Sequence, residues 1–376
     1  MNIKDVRREA LQNWARECLQ EVTGVDVGDS ELEIVSGDAS FRRYFRMRLA
    51  VDKLNTSAVP NVASSYILVD APPEHEDCQR FVRVADAVRE AGLCAPVVHE
   101  VDYDLGFMLL QDFGDTLYLP ALLQAQTEND LSRASLLYEQ AMSALLDLQQ
   151  NCVAADLPRY DQELLHNELS LFDQWFCTGL LGLQLSPSEH ALIQRTYDFL
   201  EEAALMQPYV CVHRDYHSRN LMVRDGIENQ VPGVVDFQDA VAGPYTYDPV
   251  SLLRDCYIVW PDAQVQQWAL QYLDQARIQG IIPDSLDEED FLRDFDLMGL
   301  QRHLKVLGIF CRLNLRDGKA QYLQDLPRVI DYVLRIAASY TELLEFTEWF
   351  QQRLLPLISA KLPPASSAKT SPETAQ

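Results

Sequence analysis

The sequence contains few basic residues and no long apolar run. Its 376 residues include 31 Lys and Arg against 57 Asp and Glu, which gives a formal net charge of -26 at pH 7. Because nucleic acids and anionic membranes are bound through clustered positive charge, this balance argues against both as partners. No stretch approaches the length of a membrane span, and residues 1–20 have an amphipathic helical pattern that is unlike a signal peptide. The sequence therefore predicts a soluble, cytoplasmic protein.

Cysteine motifs are missing as well. The eight cysteines are scattered along the chain, with no CxxC pair and no histidine at the spacing of a zinc ligand. We therefore expect all of them to be small buried hydrophobic residues in a reducing cytoplasm.

Secondary-structure patterns divide the chain into four parts. Residues 1–27 form an amphipathic helix, and residues 28–112 hold five strand patterns and one helix. Residues 113–360 show helical periodicity that is interrupted by one β-rich stretch, and the Pro/Ser/Thr-rich residues 361–376 are expected to be disordered. The length and these patterns predict an α+β fold of two lobes, a small antiparallel sheet with one helix and a large, mainly helical part.

One stretch concentrates polar side chains between short apolar runs. It reads VHRDYHSRN at residues 212–220 and VVDF at residues 234–237. The first part matches an H-R-D-x-x-x-x-N catalytic loop, and the Asp of the second lies sixteen residues after its Asn. In this pattern Asp215 accepts or orients the proton of an attacking hydroxyl, while Asn220 and Asp236 hold Mg²⁺ through oxygen atoms. The spacing indicates phosphoryl transfer from ATP.

On these motifs the chain resembles the aminoglycoside phosphotransferase and choline kinase superfamily, from about Val35 to Leu355. Within it, SGDASFRRYFR, VDAPPEHED, RDYHSRNLM, GPYTYDPVSLLRDCYI and LRDGKAQYLQDLPRVIDYV are similar to the bacterial anomeric kinases of cell-wall recycling. The resemblance implies a bilobal, protein-kinase-like fold. It also implies an ATP- and Mg²⁺-dependent kinase that phosphorylates the C1 hydroxyl of N-acetylmuramate or N-acetylglucosamine. The preferred sugar and the oligomeric state stay open.

Two features expected of a phosphate-binding lobe are missing. The loop SGDAS has one glycine where a kinase loop has three, and the strand SYILVD ends in Asp70 where a kinase strand would carry a lysine. A carboxylate there would repel ATP, so we expect Arg42 and Arg43 to supply the cation, although either could merely balance an acidic surface. The predicted nucleotide-binding residues are Ser36, Gly37, Ala39, Ser40, Arg42, Arg43, Leu110 and Gln111.

Four further residues are candidates for contact with the substrate or for support of the catalytic loop. His213 is expected to brace the loop, and His217 to contact a sugar or the loop backbone. The resemblance implies a supporting role for Asp248, and Arg254 follows it on a predicted helix that could face the acceptor. The carboxylate of N-acetylmuramate would need a cation, for which Arg254, Arg312 and Arg316 are candidates.

Two other functions are compatible with parts of the sequence. An aminoglycoside or other small-alcohol kinase would use the same motifs, and an acidic surface would suit a cationic acceptor. A nucleotide-binding pseudokinase would explain the absent lysine, but such a protein usually loses the base, the Asn or the metal-binding Asp, and all three are present. A protein kinase is disfavoured because no A-P-E element follows Asp236.

Overall fold

The computed structural model describes residues 3–25, 27–28, 30–37, 41–49, 62–154, 157–224 and 231–362. The chain divides into two compact units. The first unit comprises Met1–Cys152 and Arg219–Ala240, and the second comprises Val153–Ser218 and Val241–Gln376. The motif H-R-D-x-x-x-x-N therefore passes from the second unit to the first between Ser218 and Arg219.

The elements are numbered in chain order. The strands are β1 Glu33–Gly37, β2 Arg43–Arg48, β3 Ser65–Asp70, β4 Val98–Asp102, β5 Phe107–Gln111, β6 Tyr209–Val212, β7 Leu221–Met222, β8 Gly233–Val234 and β9 Val241–Pro244. The α-helices are α1 Ile3–Thr23, α2 Cys78–Glu90, α3 Tyr118–Glu128, α4 Leu131–Asn151, α5 Gln162–Leu171, α6 Pro187–Leu205, α7 Tyr247–Leu253, α8 Asp262–Ile278, α9 Glu288–Asp317, α10 Leu326–Ala337, α11 Leu344–Trp349 and α12 Leu355–Lys361. Short helices of other types are Phe172–Leu180, Ala320–Gln324, Thr341–Leu343 and Phe350–Leu354.

The first unit is built on a five-stranded antiparallel sheet of order β1-β2-β3-β5-β4. Phe45 and Met47 of β2, and Leu49 just after it, lie two positions apart and are all buried on one face of the sheet. They share a core with apolar residues of α1, among them Leu11 and Leu19. Helix α1 thus covers this face of the sheet, and the α+β fold class predicted from the sequence is confirmed.

Helix α2 begins at Cys78, directly after its capping residue, and ends at Glu90. The side chain of Asp77 caps its first turn by accepting a hydrogen bond from the Arg80 N–H at 2.9 Å. Phe81, Ala85 and Val88 are buried along one face, as their helical spacing predicts. The chain leaves the helix through Gly92, whose φ of +102° strongly favours glycine.

The second unit is organised around the 30-residue helix α9. Asp287 caps its N-terminus through the Asp290 N–H at 2.8 Å, and Gly318 ends it with a φ of +69°. Helices α5, α6, α7 and α10 and residues Phe172–Leu180 pack around it. At Gly308 a Cβ atom would lie 2.3 Å from the backbone of Leu171, so only glycine allows this approach.

A two-stranded sheet in the second unit positions the catalytic loop. Strand β6 pairs with β9, from Tyr209 opposite Pro244 to Val212 opposite Val241. The apolar residues of β6 are typical of a strand, whereas β9 is not evident from the sequence, because Val-Ala-Gly-Pro contains two residues that usually disfavour strands. The catalytic loop begins at His213, directly after β6.

The cysteines agree only in part with the sequence-based expectation. Cys78, Cys177, Cys256 and Cys311 are free and buried, and Cys18 and Cys94 are free and half-buried. Cys152 and Cys211 are disulfide-bonded, so the expectation that every cysteine is reduced is wrong for these two. The long helices of the described residues are all too polar for a membrane span.

Candidate active site

In the second unit, the backbone of the catalytic loop is held by a buried carboxylate. Asp248 of α7 accepts hydrogen bonds from the His213 N–H at 2.6 Å and from the Arg214 N–H at 3.0 Å. Arg214 has a φ of +76°, a conformation that costs free energy in a non-glycine residue. Burial raises the pKa of Asp248 to about 7, although the two N–H donors favour its carboxylate form. Asp248 thus fixes the backbone immediately before Asp215.

Asp215, the predicted base, is partly exposed at the end of this strained turn. Burial opposes its ionisation, but Lys305, His217, Arg302 and His213 together hold the pKa of its carboxyl group below the ordinary value. The side chain is therefore ionised at neutral pH. An ionised carboxylate is the state that a proton acceptor requires.

A buried ionic network stands behind the loop. Glu168 of α5 accepts hydrogen bonds from Arg214 Nη2 at 2.5 Å, from Lys305 Nζ at 2.8 Å and from the Tyr160 hydroxyl. Lys305 Nζ also donates to the Tyr247 hydroxyl at 2.8 Å. Buried charges are costly unless they are paired, so movement of Arg214 away from Glu168 would be unfavourable. The network therefore holds the Arg214 side chain in one place.

Lys305 and Arg302 were not among the residues predicted for the site, although the sequence carries a signal for them. Both residues lie in the stretch MGLQRHLKVLGIF, which otherwise reads as the apolar core of a helix. They are only 8% and 4% exposed, respectively. Charged residues at core positions of a helix are usually paired or functional, so they are worth testing as parts of a site.

Ser218 of the loop and the candidates His217 and Arg254 have defined partners. Ser218 donates to Asp255 Oδ2 through its N–H at 3.0 Å and its hydroxyl at 2.5 Å. The ring of His217 packs edge-on against Tyr257 with a centroid distance of 5.5 Å. Arg254 donates to Asp296 at 2.6 Å, and its guanidinium group lies 4.6 Å from the centre of the Phe295 ring. Arg254 is therefore engaged within the protein.

In the first unit, the two predicted metal ligands lie together. Strands β7 and β8 pair, and the Val235 N–H donates to the Asn220 carbonyl at 3.0 Å. The Asn220 side chain lies 3.4 Å from Asp236 Oδ2, and Gln238 donates to Asp236 Oδ1 at 2.8 Å. Asp236 has a φ of +65°, so its backbone too is held in an uncommon conformation.

This donor set fits Mg²⁺. One carboxylate and one amide oxygen are hard ligands, and Mg²⁺ usually takes one or two protein carboxylates together with phosphate oxygens and water. Within the described residues, no group of three or more His, Cys, Asp or Glu side chains could hold a metal ion. The pair Asn220 and Asp236 therefore suits an ion that the substrate's phosphates also bind.

Asp70, at the place of the missing lysine, does not carry an unpaired charge. Its side chain is fully buried, with Oδ1 bound by Arg7 Nε at 2.9 Å and Oδ2 by Arg43 Nε at 3.0 Å. Arg43 is brought to it by the register of β2 and β3, in which the two residues are directly opposite. The repulsion of ATP expected from Asp70 is therefore offset within the protein.

Arg42 has a different environment from Arg43. It is 8% exposed, and its Nε lies 3.2 Å from Glu76 Oε2. It lines a cavity of about 240 Å³ together with Gln238, the residue that contacts Asp236. Gln238 Oε1 is buried and has no hydrogen-bond partner among the described residues. The other residues that line this cavity are Ala71, His75, Glu76, Asp77, Cys78, Arg80, Phe81, Met108 and Asp239.

The other predicted nucleotide-binding residues belong to the same unit. Ser36 and Gly37 end β1, whereas Ala39 and Ser40 lie outside the described residues. Leu110 is buried in β5. Gln111 exchanges backbone and side-chain hydrogen bonds with Val97, at 2.9 and 3.4 Å.

Known structures define the class of fold. A choline kinase from Cryptosporidium parvum superposes with a TM-score of 0.57 at 12% identity, over 90% of this chain and 99% of the other. At this identity the likeness establishes the fold alone. It places the chain among proteins with a choline-kinase-like fold, as the sequence resemblance implied.

Sequence comparison defines the family. The model of the phosphotransferase enzyme family matches residues 31–288. The N-acetylmuramate/N-acetylglucosamine kinase of Pseudomonas putida is 40% identical over 92% of this chain and 96% of its own. The protein of the same name from Pseudomonas aeruginosa is 41% identical over 92% and 96%. The chain therefore belongs to the phosphotransferase enzyme family.

Proposed function

We propose that this protein is an ATP- and Mg²⁺-dependent kinase that phosphorylates the anomeric C1 hydroxyl of N-acetylmuramate or N-acetylglucosamine. Cytoplasmic recycling of peptidoglycan sugars is the context that we propose for it. The observation that carries the proposal is the near full-length similarity to relatives with that name, at 40% and 41% identity. We also propose that the chain is divided into four parts. These are a helix at 1–27, a nucleotide-binding lobe at 28–112, a catalytic lobe at 113–360 and a tail at 361–376.

The residues divide the work between proton transfer and phosphate binding. Asp215 orients the C1 hydroxyl and accepts its proton, because its carboxylate is ionised and Asp248 fixes the backbone before it. Asn220 and Asp236 would hold Mg²⁺, and Gln238 orients Asp236. When bound, Mg²⁺ neutralises charge on the β- and γ-phosphates. Arg42 would contact a phosphate oxygen in place of the absent lysine.

The product formed with each sugar tests this proposal. We expect ADP release with N-acetylmuramate and N-acetylglucosamine, and a product whose anomeric proton is coupled to phosphorus in the NMR spectrum. The methyl glycoside of N-acetylglucosamine is the matched control, because it lacks only the free C1 hydroxyl and should not react. Phosphate on C6, or turnover of an aminoglycoside instead of either sugar, would refute the proposal. Failure to release ADP with any acceptor would support the pseudokinase alternative.

Replacement of Arg42 tests the cation that substitutes for the lysine. We expect Arg42→Gln to raise the KM for ATP roughly 10-fold or more while the KM for the sugar changes little, because a charge-assisted contact to phosphate is lost. Arg43→Gln is the matched control. Since Arg43 binds Asp70, that variant should lower the temperature of unfolding, while its KM for ATP should stay close to that of the wild type. Equal increases in both KM values for Arg42→Gln would indicate a folding defect instead.

A further inference from the structure

One face of helix α9 carries a row of cations. Arg302, Lys305, Arg312 and Arg316 are separated by three, seven and four positions, so they lie on the same side of the helix, with Ile309 between them. In a chain with a net charge of -26, four cations on one helix face are a marked local excess.

Exposure increases along this row from the catalytic loop outward. Arg302 and Lys305 are buried, and the charges of both act on Asp215. Arg312 is half-buried, and Arg316 is exposed. A rise of 1.5 Å per residue places Arg312 about 10 Å along the axis from Lys305. The row thus leads from the surroundings of the base toward solvent.

The cations of the row differ in their partners. Lys305 binds Glu168 and Tyr247, and Arg316 binds its neighbour Asp317 at 2.7 Å. Arg312 makes no hydrogen bond or ion pair with the residues that the structure describes, and its buried Nε lacks an acceptor. Burial and the charge of Arg316 lower the pKa of Arg312, and the charge of Asp317 opposes them in part. Asp317 acts on Arg312 through its charge but, within the described residues, does not bind it, so the half-buried guanidinium group has no directly bound anion. Such a group is unfavourable, which indicates a place for an anionic ligand.

We propose that Arg312 binds the carboxylate of an acidic amino sugar, in an acceptor site that extends along this face of α9 from Asp215. The inference rests on the proposed function, because N-acetylmuramate differs from N-acetylglucosamine by a lactyl group that ends in a carboxylate. The planar guanidinium group suits a carboxylate through two parallel N–H donors. Arg312 would then determine how strongly the enzyme prefers the acidic sugar over the neutral one.

The other arginines considered from the sequence fit this role less well. The charge of Arg254 is already paired with Asp296 through Nη2 at 2.6 Å, and its guanidinium group lies over Phe295, although Nη1 is buried without an acceptor among the described residues. Arg316 is exposed and already paired, and exposed ion pairs contribute little free energy. Arg312 combines partial burial with the lack of a bound anion among the described residues.

The ratio of the two kcat/KM values, for N-acetylmuramate over N-acetylglucosamine, tests the inference. We expect Arg312→Gln to lower this ratio roughly 10- to 100-fold, the loss typical of a hydrogen bond to a charged group. Arg312→Lys should retain part of it, since the charge remains but the paired donors are lost. Arg195→Gln, at an exposed arginine of α6 that pairs with Glu345, is the matched control and should leave the ratio close to that of the wild type.

A modified sugar separates recognition of the carboxylate from folding of the variant. With the wild-type enzyme, the methyl ester of N-acetylmuramate should lose the same factor in kcat/KM, while Arg312→Gln should use ester and acid about equally. An unchanged ratio in Arg312→Gln, or wild-type turnover of the ester equal to that of the acid, would overturn the role of Arg312 alone. If the wild type phosphorylates neither sugar at C1, the proposed function itself is wrong.

Discussion

Asp236→Ala is expected to abolish both phosphoryl transfer and Mg²⁺-dependent binding of ATP. Of the pair Asn220 and Asp236, only Asp236 is a carboxylate, and the variant removes it. Mg²⁺ is usually held in a protein by one or two carboxylates, so the site should no longer bind it. Because charge neutralisation by the metal contributes several kcal/mol, turnover should fall roughly 10³-fold or more. Titration calorimetry with ATP, in the presence and absence of Mg²⁺, measures the binding loss independently of turnover.

Two further variants make this result specific. Asp104→Ala removes a carboxylate from an exposed turn of the same unit, so it controls for the change in total charge. Asn220→Ala removes the neutral ligand, and its smaller defect should be relieved in part by more Mg²⁺. Near-normal turnover in Asp236→Ala would contradict the kinase assignment, whereas a Mg²⁺-independent defect in Asn220→Ala would assign that residue another role.

The parts of the site that were predicted from the sequence are those set by short-range spacing. The interval from Asp215 to Asn220 is fixed by a single loop, and the hairpin of β7 and β8 brings Asn220 and Asp236 together. The two-residue repeat of a strand, which puts Arg43 on the same face of β2 as Phe45 and Met47, is likewise a local property. Local geometry of this kind can be derived from a pattern.

The parts that were not predicted depend on pairing across long stretches of chain. Asp70 was expected to repel phosphate, but Arg7, 63 positions away, neutralises it together with Arg43. Glu168 and Lys305 are separated by 137 positions and meet only in the folded core. Periodicity shows that a charged residue occupies a core position, but it does not identify the partner that makes the position tolerable.

Asp215→Asn is expected to lower kcat by about 10²- to 10⁴-fold while the Kd of the sugar changes little, because a general base acts mainly in the transition state. The asparagine keeps the shape and a hydrogen bond but cannot take a proton. An anomeric hydroxyl is more acidic than an ordinary alcohol, and a loose phosphoryl-transfer transition state requires little early proton removal. The loss should therefore be smaller with a C1-hydroxyl acceptor than with an ordinary alcohol that the same site accepts.

The pH dependence of kcat distinguishes this role from a structural one. The groups that act on Asp215 are Lys305 and Arg302 of α9, His213 and His217 of the loop, and Asp248 of α7. Since the pKa of Asp215 is lowered, its carboxylate stays ionised as the pH falls, and protonation of Asp215 should give kcat an acid limb below the ordinary aspartate value, separate from any change near pH 7 caused by protonation of Asp248. Lys305→Gln removes one positive charge but keeps a hydrogen-bond donor toward Glu168, so the pKa should rise and the limb should move to higher pH. A purely structural defect would lower kcat at every pH, and an unmoved limb in Lys305→Gln would therefore contradict the assignment of Asp215 as a base tuned by the cations of α9.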